Sequence, residues 1–255
     1  MGALDSWRGL WRSLRVYRLD SGHGRALDEM HRRFVGPGDL AFDIGAHVGD
    51  RTASFRRLGA RVLACEPQKS CFRLLRLLHV MDGKVTLLET AVSDREGVLT
   101  FSVNTRNPTV STLSPEFVSA AMSGARGWEG QEWDRQVEVK ATTLDRLIET
   151  YGQPSFIKID VEGAEEQVLR GLSAPVPALS FEFTTIQRGV ADACLRRCAE
   201  LGYERFNVSL GESQALSFET PVNADTMRAH IAGLPHEANS GDIYVFRNDW
   251  AERTA

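Results

Sequence analysis

Residues 40–50 read LAFDIGAHVGD: an apolar run closed by an acid, two glycines four apart, then polar residues that open a helix. A short apolar run bounded by glycine is the pattern of a buried parallel strand, and the glycines let the following turn bring backbone close to a ligand. A dinucleotide fingerprint would place glycines as G-x-G-x-x-G, but here His47 holds the second glycine position and Asp50 the third. What remains is D-x-G-x-x-x-G, formed by Asp43, Gly45 and Gly49. That turn suits a ligand without a pyrophosphate, one carrying an amino-acid end and a ribose.

The chain around this stretch is that of an ordinary globular protein. Its 255 residues, 42% hydrophobic and 25% charged, fit one large α/β domain and exclude a disordered or fibrous chain. A net charge of −4 and a pI near 5.9 supply no basic field for a phosphate backbone, so a small polar substrate is expected rather than nucleic acid. Cys65, Cys71, Cys194 and Cys198 lack the C-x-x-C spacing of a zinc site and read as buried reduced thiols, which implies a reducing cytoplasm. No apolar run reaches the roughly 18 residues of a membrane span, and the N-terminus lacks the core of a signal peptide.

Working outward, residues 7–18 place Trp7, Leu10, Trp11 and Leu14 at helical spacing, with arginines on the other faces. This basic amphipathic helix reads as a cap over the domain, with contact to a membrane surface as the alternative. We set the cap at residues 1–35, including a second helix near 26–34, and the main domain at 36–255. Gly36-Pro37-Gly38-Asp39 turns the chain into the first strand. The crossover helix is expected over 48–58 and the second strand over 61–65, with Glu66 at its carboxyl end. A carboxylate there, about 20 residues past the first glycine, is placed to accept both hydroxyls of a ribose. A helix over 68–79 and a strand over 85–89 follow, then the turn Thr90-Ala91-Val92-Ser93-Asp94, which would lie along the adenine edge of a cofactor.

Residues 97–103 alternate as an antiparallel strand that residues 136–141 can pair with. Between them, residues 104–135 carry Trp128, Trp133 and several glycines and prolines, the composition of a lid. Further on come a helix over 143–151 capped by Thr142 or Thr143, a buried strand ending at Asp160, a helix opened by Val161-Glu162-Gly163-Ala164-Glu165, and a strand over 178–183 bearing Glu182. A helix over 190–201, a strand over 203–208, a helix near 224–231 and a last strand over 242–247 complete the chain. This alternation predicts a seven-stranded doubly wound sheet with an antiparallel final strand.

In such a sheet ligands sit beyond the carboxyl ends of the strands, so Asp43 and Asp160 would flank one crevice. Two carboxylates have a purpose there if the ligand is cationic, as S-adenosylmethionine is: Asp43 would accept from its ammonium and Asp160 would stand near its sulfonium methyl.

FDIGAHVGD, CEP, TAVSD, TLDRLI and above all IKIDVEGAE resemble the FkbM-type methyltransferases, a branch of the class I S-adenosylmethionine-dependent enzymes with a Rossmann-like fold. The resemblance runs over residues 36–172, with weaker echoes in SFEF, LGYERF and DIYVF. His47 departs from it, standing where an Asn is usual. The resemblance implies transfer of a methyl group to a hydroxyl oxygen on a sugar or secondary metabolite. It implies cofactor contacts from Asp43, Gly45, His47, Gly49, Thr52, Glu66, Pro67, Ala91, Val92, Ser93 and Asp160. Asp160 is expected to act as the base, or with Glu182 as a ligand of Mg2+ that acidifies the hydroxyl. Glu162 is either a further partner or an acid at a helix N-terminus. His236 is the alternative base. The rival readings are a nicotinamide oxidoreductase on the same sheet, which the missing middle glycine opposes, and a non-catalytic adapter that keeps the fold.

Overall fold

Seven strands hydrogen-bond in the order β3-β2-β1-β7-β8-β10-β9 in a computed structural model that describes residues 21–251. They are β1 (Leu40–Ile44), β2 (Arg61–Cys65), β3 (Val85–Leu88), β7 (Phe156–Ile159), β8 (Ala178–Thr184), β9 (Arg205–Leu210) and β10 (Ser240–Phe246). Every pairing is parallel except those of β10, which runs antiparallel to both β8 and β9. The order reverses at β1, whose neighbours are β2 and β7, and this is where an open α/β sheet binds ligands. The sequence-based expectation of a doubly wound sheet with an antiparallel last strand therefore holds.

Helices cover both faces: α1 (Ser21–His31), α2 (Asp50–Arg57), α3 (Lys69–Leu78), α5 (Leu144–Tyr151), α6 (Glu165–Arg170), α7 (Arg188–Glu200) and α8 (Ala224–Gly233), with α4 (Pro115–Met122) set apart in the segment over residues 104–135. Alternation along β1 divides the core. Phe42 and Ile44 face a cluster with Leu144, Leu169 and Phe181, while Ala41 faces one with Phe34, Phe55 and Phe156. The second cluster is seamed by aromatic stacking, with Phe34 4.5 Å from Phe156 and His31 4.5 Å from Phe55 between ring centroids. The His31 ring is fully buried and shares a 2.8 Å hydrogen bond with the Ser54 hydroxyl, so α1 is locked onto α2. The amphipathic helix expected over residues 7–18 lies outside the described residues.

A second sheet of β4 (Ala91–Val92), β6 (Arg135–Thr142) and β5 (Gly97–Val103) leans over the carboxyl ends of the main one. β5 and β6 pair antiparallel from Gly97 opposite Ala141 to Val103 opposite Arg135. Several boundaries shift from the sequence reading for local reasons. α2 begins at Asp50 because Gly49 takes φ +77°. β9 begins at Arg205 because Tyr203 is drawn into the core, where its hydroxyl donates to the Val176 carbonyl at 2.9 Å. Thr143, not Thr142, caps α5 by accepting from the Arg146 amide.

Candidate active site

The loop after β1 sets the geometry. The amides of Gly45 and Ala46 both donate to the Cys65 carbonyl at 3.0 Å, and the Asp160 amide donates to the Ile44 carbonyl at 2.9 Å, which holds the ends of β1, β2 and β7 together. Gly45 has φ +82°, and a Cβ there would stand 1.8 Å from the Asp160 carbonyl oxygen. Glycine is required at this point by the approach of the neighbouring strand, independently of any ligand. His47 takes φ +47°, a left-handed conformation that Asn tolerates more easily than most residues, which gives a physical reason for the Asn usual in the resembling family.

Above the strand ends lies a cleft of two chambers. The first lies between Pro67, Ala91, Val92, Phe101 and Leu113, with Glu66 and Gln68 as its polar wall. The second is lined by Asp43, Asp50, Asp160, Glu162, Glu182 and Glu212 together with Arg51 and Lys158. Gly45, His47, Thr109, Asp160 and Glu162 line both, so the chambers meet there. A wider depression near Arg146, Gln153 and Pro175 lies at the opposite ends of the strands and contains none of the expected site residues.

Glu66 is 5% exposed and its carboxylate accepts from the amides of His47 at 2.8 Å and Gln68 at 2.7 Å. Burial pushes its carboxyl up to about 7 against these two bonds. Asp43 is 2% exposed; burial pushes it up to about 6, and the Thr52 hydroxyl donates to it. Burial lowers the His47 imidazole to about 4, so it is neutral at physiological pH.

Asp160, directly after β7, is also desolvated, but the Lys158 ammonium, the Arg51 guanidinium and a hydrogen bond from the Glu182 carboxyl hold it below the usual carboxylate range. Lys158 is 2% exposed and lies 3.3 Å from Asp160 and 2.5 Å from Asp242. Burial and the neighbouring Asp160 charge push the carboxyls of Glu162 and Glu182 well above their ordinary range. Arg51 pairs with Asp50 and lies 3.6 Å from Glu212.

Several expected residues serve the site without lining it. Gly49 ends the loop, Thr52 bonds Asp43, and Ser93 is buried with its amide on the Thr142 carbonyl. Others are in different places from those the sequence suggested. Glu162 does not cap a helix: α6 starts at Glu165, whose carboxylate takes the amides of Val161 and Gly163 at 3.1 Å each. His236 is exposed on a short 3-10 turn and lines neither chamber. The lid tryptophans line neither chamber; they pack edge-on against Phe117 with centroids 5.1 and 6.0 Å away, and the Trp133 indole donates to the Val110 carbonyl. The part of the segment that meets the cleft is residues 108–113, tied down where Gln68 donates to the Pro108 carbonyl at 3.0 Å and Thr112 to the Glu162 carbonyl at 2.6 Å.

Sequence reasoning gave no role to Lys158, Arg51 or Gln68. The one available signal was a lysine inside the apolar strand Phe156–Ile159, a position that a charge occupies only when paired.

Residues 43–204 match the family described as the Methyltransferase FkbM domain. The chain belongs to the FkbM methyltransferase family. Among curated relatives, a hexuronic acid methyltransferase, AglP, of Haloferax volcanii is 26% identical over 155 residues, covering 60% of this chain and 57% of that protein. The methyltransferase sdnD of Sordaria araneosa is 29% identical over 153 residues, covering 51% of this chain and 59% of that one. The chain thus spans less than two thirds of the length of either relative. Among solved structures, a TehB-like SAM-dependent methyltransferase from Corynebacterium glutamicum aligns over 93% of this chain and 94% of its own, at 13% identity and a TM-score of 0.45. With membership of the FkbM methyltransferase family shown, the nicotinamide reading is set aside. No helix among the described residues is long and apolar enough to cross a membrane.

Proposed function

We propose that the chain binds S-adenosylmethionine across the two chambers and transfers its methyl group to a hydroxyl oxygen of a small polyhydroxylated acceptor of the sugar class. The observation that carries this reading is the junction at Gly45 and Asp160. There a largely apolar chamber walled by Glu66 opens into an acidic one. The first chamber has flat apolar sides for an adenine, and the Glu66 oxygens each keep a lone pair for a ribose hydroxyl. Asp43 faces the second chamber, where a carboxylate would pair with an ammonium.

When bound, the donor supplies a methyl group on a positively charged sulfur. The chain's own part is to orient the acceptor and remove its proton. Asp160 is the ionised acid at the junction, kept so by Lys158, and it accepts the hydroxyl proton. A sugar acceptor agrees with the hexuronic acid named for the Haloferax relative. The lining of the acidic chamber favours hydroxyls over a bare carboxylate, since its two cations are already paired with acids. The four cysteines are buried and unbridged, in keeping with a reducing cytoplasm.

The test is transfer of labelled methyl from S-adenosylmethionine to a panel of neutral sugars, sugar acids and phenols, with products resolved by mass spectrometry. Asp160→Asn should lower turnover by about 10²–10⁴-fold, the usual worth of a general base. Transfer at the wild-type rate by that variant, or a methyl found on nitrogen or carbon, would contradict the assignment.

A further inference from the structure

We propose that Asp160, Glu162 and Glu182 form a divalent-cation site at the junction of the chambers, suited to a hard ion of the Mg2+, Mn2+ or Ca2+ class. The three side chains come from the end of β7, the loop after it and β8, and one oxygen from each lies within 4.8 Å of the others. That is the span of oxygens around one ion, since ligands at about 2.1–2.4 Å stand at most about 4.8 Å apart.

Glu162 supplies the independent observation. It is only 8% exposed, yet its carboxylate accepts no hydrogen bond and makes no ion pair with any described residue. Its oxygens open onto the cleft, and beside them the Glu182 Oε2 atom is closed off from solvent with no hydrogen-bond partner, a costly state unless something else satisfies it. The direction of the Glu162 side chain is imposed by the backbone. Glu162 has φ +55°, Thr112 bonds its carbonyl, and Glu165 holds the amides on either side, so the side chain is turned into the wall of both chambers.

Lys158 does not already fill this role. Its ammonium sits 3.3 Å from Asp160 but is drawn to Asp242 at 2.5 Å, and no ion pair joins it to Glu162 or Glu182. The ligand set is all oxygen, with no sulfur or imidazole among the three, which selects a hard ion over zinc or copper. An ion here would leave coordination positions open toward the acidic chamber, where an acceptor hydroxyl can join it. That use rests on the methyl-transfer reading; the binding of the ion does not.

The experiment is therefore run on the full chain without donor: Mn2+ titration followed by electron paramagnetic resonance and calorimetry. One Mn2+ per chain is expected, displaced by Mg2+. Glu162→Gln and Glu182→Gln should each weaken binding at least tenfold, because even outer partners of a metal ligand are worth 10–100-fold. Glu116→Gln, an exposed acid on α4, should leave it unchanged. Melting temperatures of the variants, taken in parallel, separate ligand loss from misfolding. No stoichiometric Mn2+ binding, or equal affinity in wild type and folded Glu162→Gln, overturns the site. S-adenosylmethionine binding measured in metal-free buffer reports separately on the donor cleft.

Discussion

Substituting Gly45 by alanine probes the contact on which the cleft is built. The new Cβ would lie 1.8 Å from the Asp160 carbonyl oxygen and 2.8 Å from its carbon, both backbone atoms that no rotamer change can move. The residue would also occupy φ +82°, where an L side chain costs about 1–2 kcal/mol. Forcing the strand ends apart adds about 1–3 kcal/mol, the range for overpacking a close-packed interior. Gly38→Ala is the matched control. It too is left-handed, at φ +86°, but has nothing within 4 Å of the added methyl and lies before β1, away from the cleft. The excess cost of Gly45→Ala over Gly38→Ala is then about 1–3 kcal/mol, or roughly 2–12 °C in melting temperature for a chain of this size. Because the displaced atoms belong to Asp160, methyl transfer should also fall by about 100-fold, as expected for a shift near 1 Å at a reacting group. Differential scanning calorimetry and a single-turnover assay read the two effects. Equal melting temperatures and equal rates in the two variants would refute the close approach and the role given to the Asp160 strand end.

The other predictions concern charge and closure. Since burial holds Glu66 near 7 and its ionised form is the one that accepts ribose hydroxyls, donor affinity should rise about tenfold from pH 6 to pH 8, a dependence that Glu66→Gln abolishes in a calorimetric titration. Asp43, Glu66 and Glu165 all have folded-state values raised to about 6 or 7. The stability they contribute is complete below their unfolded values near 4 and lost as pH rises through 6 to 7, so the melting temperature of the donor-free protein should fall across that window. Lys158→Met leaves Asp160 and Asp242 facing one another without their shared cation and should cost about 3–5 kcal/mol by urea denaturation at pH 7. Gln68→Ala removes the bond to the Pro108 carbonyl and should expose residues 104–114 to limited proteolysis while leaving the melting temperature within a few degrees; an unchanged cleavage pattern would show that the Thr112 tie alone holds the segment.

Much of this arrangement is legible in the sequence because it is local. The apolar run into Asp43, the run into Asp160 and the glycine turn are contiguous stretches whose periodicity and breakers mark strand ends, and the order of strands and helices then leaves few topologies. The pairing of residues 97–103 with 136–141 was legible for the same reason, through matched alternation. What could not be read are contacts between residues distant in the chain. Lys158 meets Asp242 across 84 positions, and only the folded sheet shows that β10 lies on the far side of β8 with its acid turned back to β7. Of the two readings of Glu162, the helix-terminus one fails because a helix signal, an acid just before Ala164-Glu165, coincides with a left-handed loop residue; Glu165 takes the backbone amides and frees Glu162 for the cleft. Composition marked Trp128 and Trp133 as lid residues, but their aromatic partner, Phe117, lies on a short helix whose Ser114-Pro115 start signal went unread in so irregular a segment.

A crystal grown with S-adenosylhomocysteine, the demethylated donor, addresses the central claim most directly. The account predicts the ribose hydroxyls on the Glu66 carboxylate at about 2.6–2.9 Å, the adenine between Val92 and Leu113, and the sulfur turned toward Asp160 across Gly45. Density for the ligand at another surface, or a cleft that stays empty at saturating concentration, would contradict it.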